Sequence, residues 1–173
     1  MLRDKQINVL AGMAMGLMAT LISIGLAVFG VLEPIVPPAN IYEPLMDAVR
    51  WDALVVGCLA ANIAMIASHR FITEADIDGG GLSVGTPRVR VLQAILQNTL
   101  EQAVLALGVH AVWASTMPPT LHAVVPVASL LFVAGRLLFW RGYARGAAGR
   151  ALGFALTFYP SIVMLLIIAA HLI

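Results

Sequence analysis

The sequence predicts an all-α fold, a polytopic helical bundle set in a membrane, and three observations carry that prediction. Of the 173 residues, 61% are hydrophobic and only 11% are charged, against about 25% charged in an ordinary soluble domain. The mean hydropathy is strongly positive. The apolar residues fall into runs long enough to cross hydrocarbon about 30 Å thick, where backbone polar groups must be satisfied within a helix. The ten basic residues nearly balance the nine acidic ones, and no basic patch points to nucleic acid. The single cysteine, Cys58, sits in an apolar run, which excludes an intrachain disulfide and reads as a small core residue.

The first span follows a short mixed segment carrying Arg3, Asp4 and Lys5, and residues 6–32 carry no charge. A secretory signal has an apolar core of about 7–15 residues and a small-x-small cleavage site. This run is far longer and lacks the site, so it reads as a retained transmembrane helix over residues 1–32. Gly12 and Gly16 form a GxxxG pair, which lets another helix approach closely. Pro34, Pro37, Pro38 and Pro44 then break helix and make a loop, assigned with its flank to residues 33–50.

The second span is expected from near Leu45 to about Arg70. Asp47, Arg50, Trp51 and Asp52 form its interfacial first turn, with Trp51 as an aromatic anchor. Residues 73–87, TEADIDGGGLSVGTP, are the one long polar stretch. Their glycines lack the lysine and the strand–helix setting of a phosphate loop, so the stretch reads as a flexible linker.

The third span runs from Arg88 to about Trp113. Arg90, Gln93, Gln97, Asn98, Glu101 and Gln102 fall on one polar stripe at helical spacing. An ionised glutamate in hydrocarbon costs about 3 kcal/mol, so the stripe must face protein or a water-filled cavity. It is either an interhelical hydrogen-bond network or a site. Met117–Leu121 make a tight turn; a fourth span reaches from His122 to about Trp140, and a fifth covers residues 151–173. His110, His122 and His171 share no metal-ligand spacing and read as interfacial or packing residues; no metal site is read.

Sorting the basic residues by side orients the bundle. With a cytoplasmic N-terminus, Arg3, Lys5, Arg70, Arg88, Arg90, Arg136, Arg141, Arg145 and Arg150 all fall inside and Arg50 alone falls outside. The C-terminus is then outside, and in a bacterium the membrane would be the inner, plasma membrane.

Residues 135–153, GRLLFWRGYARGAAGRALG, join the last two spans and hold four arginines. Arg136, Tyr143 and Arg150 recur every seven residues and share a face if helix persists. Two guanidiniums flanking a phenol suit an anion. The positive-inside rule accounts for Arg141 and Arg145. Arg136 follows the apolar run LLFVAG and has to enter the bilayer or snorkel.

The segment GRLLFWRGYARGAAGR resembles the corresponding segment of the MAPEG family, the membrane-associated proteins of eicosanoid and glutathione metabolism. The likeness lies in its RL pair, its GYAR core and the arginine seven residues after the tyrosine. Within the family it is most like the branch that forms leukotriene C. Asn98-x-x-Glu101 resembles the N-x-x-E motif of that family's second helix. The likeness covers four helices, which assigns residues 51–173 to a MAPEG-like domain preceded by one additional helix.

The resemblance implies a homotrimer with glutathione bound between neighbouring subunits near the cytoplasmic side. Asn98, Glu101 and Tyr143 would then contact glutathione, and Arg150 would stabilise its thiolate. Arg136 would contact or brace it, and Arg70 matches a further basic position. Ala94 stands where the family usually has arginine, with Arg90 one turn earlier as its substitute. Phe139 and Gln102 stand where leukotriene-forming members have tyrosine. The implied activity is that of a glutathione-dependent transferase or peroxidase acting on a lipophilic electrophile or hydroperoxide. The alternative is a non-catalytic lipid-binding adaptor, or an accessory subunit docked on a larger membrane complex through its first helix.

Overall fold

Proline fixes where two of the helices begin. Pro44 and Pro87 each occupy the first helical position, where a missing N–H costs nothing and φ is already helical. The structure, a computed structural model, describes residues 2–32 and 43–173. It contains five helices: α1 (Leu2–Val28), α2 (Pro44–Ile72), α3 (Pro87–Thr116), α4 (Val124–Gly142) and α5 (Gly146–Leu172). No strand occurs among the described residues. The loop expected at Pro34, Pro37 and Pro38 lies outside them, and residues 44–50 already belong to α2.

Three apolar stretches are long enough to cross a membrane: Arg3–Val28, Pro44–Ile72 and Pro119–Leu172, the last holding both α4 and α5. α3 has 30 residues, about 45 Å of helix, but its polar stripe keeps it less apolar than the other four. Leu10, Met18, Leu21, Val56 and Ile63 lie exposed along α1 and α2, a surface suited to lipid rather than water. The chain is an integral membrane helical bundle.

Small residues set the closest packing. A β-carbon added to Gly142 would lie 1.9 Å from the Gly149 carbonyl oxygen, and one on Gly153 would lie 2.4 Å from the Phe139 nitrogen. Only glycine allows α4 and α5 to meet backbone to backbone there. α1 packs on α5 in the same way. β-Carbons at Gly12 and Gly16 would come within 2.9 and 2.3 Å of the Ala151 and Ala155 methyls. Both indices rise together, so α1 and α5 run in the same direction. The buried stripe Gly12, Gly16, Thr20, Ile24 and Ala27 continues this contact. The GxxxG pair therefore serves the chain's own last helix rather than a foreign one.

Where α1, α3, α4 and α5 converge, Ile24, Val109, Trp113, Val125 and Met164 form the largest apolar core. The Trp113 indole N–H donates to the Leu121 carbonyl at 3.0 Å. Asp52 departs from its expected place in an interfacial turn. It is buried, and its carboxylate binds His110 Nδ1 of α3 at 2.5 Å, because an unpaired carboxylate inside the bundle would be costly.

The linker expected to be flexible is braced instead. Asp76 is buried and accepts from the Thr86 N–H at 2.7 Å and the Thr86 hydroxyl at 2.6 Å, and it binds His69 Nε2 at 2.9 Å. Thr86 in turn caps α3 by accepting from the Val89 N–H at 3.3 Å. Gly85, at φ +71°, makes the turn that brings Thr86 back.

Burial alone would raise the Asp76 pKa, but the Thr86 donors and His69 outweigh it and hold the carboxyl below the usual carboxylate range. A depressed folded pKa stabilises above the unfolded value of about 3.9. That stabilisation is lost as pH falls through the folded value. Asp76→Asn is therefore expected to melt below the parent at neutral pH, and the two melting temperatures should converge below about pH 4. A gap of constant size from neutral to acid pH would rule the brace out.

Candidate functional site

The site is built outward from a buried cation. Arg136 of α4 is fully buried and meets acceptors on two neighbouring helices. One terminal nitrogen donates to Asn98 Oδ1 at 2.9 Å and Thr99 Oγ1 at 3.4 Å, both on α3. The other donates to Thr157 Oγ1 of α5 at 2.6 Å. Asn62 of α2 extends the network by donating to Thr99 Oγ1 at 3.4 Å and to the Cys58 carbonyl at 2.9 Å. The rings of Phe139 and Phe132 lie 4.5 and 5.7 Å from the guanidinium carbon. Among the described residues, no carboxylate pairs with Arg136, so the charge is solvated by neutral dipoles alone.

Asn98 carries this network to a surface. Its oxygen is committed to Arg136, which leaves its NH₂ donors for other partners, and the residue lines a cavity of about 360 Å³. Asn98, Phe139, Tyr143, Arg150 and Phe154 line that cavity, together with Val9 and Met13 of α1. The Arg150 guanidinium carbon sits 4.6 Å over the Tyr143 ring, which meets Phe139 edge-on at 5.5 Å between centroids. The cavity thus combines a few donors and a cation with largely apolar walls, the usual make-up of a small-molecule site.

The expected shared face of Arg136, Tyr143 and Arg150 does not form. α4 ends at Gly142, Tyr143–Arg145 make a single 3₁₀ turn, and α5 begins at Gly146 with φ +78°. Arg136 consequently lies behind the cavity, and Tyr143 and Arg150 meet across the turn. The same break starts α5 five residues earlier than the expected 151.

The α3 stripe also divides. Asn98 edges the cavity, Gln102 turns inward and Gln93 is partly buried, whereas Arg90, Gln97 and Glu101 face outward. Glu101 accepts from the Gln97 amide at 2.9 Å and does not line the cavity. A stripe this wide spans more than one face, so its members separate once the helix packs. Arg70 lies against the glycine turn, with terminal nitrogens 4.0 Å from where β-carbons on Gly79 and Gly80 would stand. Of the expected site residues, the structure gathers Asn98, Tyr143 and Arg150 around one cavity, places Arg136 directly behind, and leaves Glu101, Arg90 and Arg70 apart.

A model of the MAPEG family matches residues 51–170, well over half of the chain. The chain belongs to the MAPEG family. No curated protein and no solved structure matches it. The MAPEG match takes in α2 to α5, and with them the whole Arg136 network and the polar wall of the cavity. α1 precedes the match, yet it supplies two of the residues lining the cavity.

Thr99, Thr157, Phe154, Val9 and Met13 are the participants that sequence reading missed. One signal was available for the threonines: an arginine inside an apolar run demands acceptors at its own depth on facing helices. Arg136→Lys is expected to lower the stability of the protein in detergent by roughly 1–3 kcal/mol, because one ammonium cannot span Asn98, Thr99 and Thr157 as the planar fork does. Thermal unfolding at the parent temperature would show that the network contributes nothing.

Proposed function

We propose that this MAPEG member is a membrane-embedded glutathione-dependent transferase that acts on lipophilic electrophiles. The observation that carries the reading is Arg150 stacked on Tyr143 beside the Asn98 donors, with the uncompensated Arg136 charge behind them. Glutathione is a polyanion, and its nucleophile is the thiolate. Asn98 and Tyr143 would hold the tripeptide while Arg150 faces its sulfur.

A free thiol titrates near 8.5, and lowering that by about two units takes ~2.7 kcal/mol. A guanidinium about 4 Å away, at an effective dielectric near 20, supplies about 4 kcal/mol before desolvation and screening are subtracted. Before those subtractions, one placed arginine supplies more than the shift requires. The thiolate then attacks an electrophilic carbon, the C–S bond forms, and the leaving group departs with its electron pair. With a hydroperoxide, the same sulfur attacks the O–O bond and releases the alcohol after protonation. A second glutathione then reduces the resulting sulfenic acid to disulfide and water.

The GYAR segment supports a likeness to the leukotriene-forming branch, while Phe139 and Gln102 depart from it. The apolar character of the cavity beside Ala94 favours a second reading, a lipid-binding adaptor without catalysis. Thiolate absorbance in the ultraviolet separates the two. The parent is expected to develop it with glutathione at neutral pH, and Arg150→Ala should lose most of it while still binding the tripeptide. A parent that binds no glutathione and shows no thiolate would leave the adaptor in place of the enzyme.

Assembly follows from the outward stripe of α3. A carboxylate turned to lipid costs about 3 kcal/mol, and Glu101 with Gln97 and Arg90 lies on the exposed face of this chain. We infer that neighbouring copies cover the stripe in a homotrimer, which would return Glu101 and Arg90 to a site shared between subunits. The parallel run of α1 and α5 puts the two termini on opposite faces, and the distribution of basic residues favours a cytoplasmic N-terminus, in the inner membrane if the source is bacterial. Native mass spectrometry from mild detergent is expected to show trimers; monomers alone would refute the covered stripe.

A further inference from the structure

α1 lies outside the segment that marks the family, yet it closes one side of the cavity that holds Arg150. Val9 and Met13 line it together with Phe154. They also belong to a second, almost wholly apolar groove of about 490 Å³, which runs along α1 past Leu10 to Lys5. The two spaces share Val9, Met13 and Ala147, so they meet across these side chains. The combined space offers a guanidinium and an amide where Arg150 and Asn98 line it, and beyond Met13 a mainly apolar groove that ends at Gln6 and Lys5.

The register of α1 is fixed by packing rather than by the cavity. Gly12 is pressed on Ala151 and Gly16 on Ala155, which leaves Val9 and Met13, one turn apart on the flank of that contact, at the mouth. Met13 is partly buried, whereas Met15, two residues on, is 54% exposed on the far side of the helix. A methionine is unbranched and adaptable, suited to lying along an apolar chain.

We propose that Val9 and Met13 are specificity determinants: the apolar part of the electrophilic acceptor lies along α1 from Met13 toward Lys5, so the added helix sets which chain lengths are accepted. The inference rests on the transferase reading and names the acceptor class, an electrophile bearing an extended alkyl chain. For a 2-alkenal, the glutathione sulfur bonds to the β-carbon, the C=C electron pair moves to the enolate, and the enolate takes a proton from water. The saturated thioether aldehyde that results contains all the atoms of both reactants.

The test is kcat/KM for glutathione addition to 2-alkenals from hexenal to dodecenal, using the full chain, with the thiolate absorbance of each variant recorded alongside. Met13→Trp fills the junction and is expected to depress dodecenal relative to hexenal by about tenfold, the discrimination an apolar pocket gives for small changes in bulk. The change should appear mainly in KM. Met13→Ala opens the junction, and its optimum should move to longer chains. Met15→Trp, on the lipid-facing side, should keep the parent profile. If Met13→Trp does not fold, Met13→Ala decides the matter. A parent with thiolate and turnover whose chain-length profile is unmoved in the Met13 variants overturns this inference and leaves the transferase intact. A parent without thiolate removes the transferase reading instead.

Discussion

A guanidinium with no carboxylate partner, held inside four helices by neutral oxygens, is the constraint on which the rest of this molecule depends. Removing a charge from water is expensive unless its donors are met, and both terminal nitrogens of Arg136 are met by Asn98, Thr99 and Thr157. Those acceptors must stand at one depth in the bundle, which fixes the vertical register of α3 and α5 against α4. Asn62 ties α2 to the same level through Thr99. A carboxylate in their place would give a stronger pair but a neutral one. Dipolar acceptors leave the positive charge undiminished, directly behind the wall formed by Asn98, where an anion would feel it.

The second constraint is the glycine hairpin. Gly142 and Gly149 bring the ends of α4 and α5 within backbone contact, and the 3₁₀ turn between them rotates Tyr143 under Arg150. The spacing of seven residues between these two side chains therefore works through a turn rather than along a helix. The aromatic face orients the cation, since a guanidinium stacks on a phenol ring and keeps its edge donors free. Phe139, edge-on to Tyr143 and close to Arg136, links the two arginines through one aromatic wall.

Hydropathy and proline make the helices legible in the sequence, because lipid exposure and helix initiation are local demands. The GYAR segment and Asn98 likewise pointed to the cavity. Four things were not local and stayed hidden. Whether helix persists through Gly142–Gly146 depends on how closely two backbones pack, which spacing does not encode. The division of the α3 stripe depends on which neighbours it meets. Asp76 looks like any loop acid in sequence; only the return of Thr86 through Gly85 makes it a brace. Asp52 and His110, 58 positions apart, carry no pattern that pairs them.

α1 shows how packing and selectivity arise from one register. Its small residues at 12 and 16 permit a helix–helix distance that larger residues would forbid, and they do so against Ala151 and Ala155. Ala151 is the neighbour of Arg150 in sequence, so a helix seated on Ala151 cannot avoid standing beside the cation. Whatever first fastened α1 to α5, the contact that holds it also places Val9 and Met13 against the cavity. Were Gly12 larger, the helix would lift away and Val9 and Met13 would no longer close that side of the cavity. An arginine acts most strongly on a thiol where water is excluded. On the proposed reading, the added helix bears on Arg150 by closing one side of its cavity, and on the acceptor by lining its path.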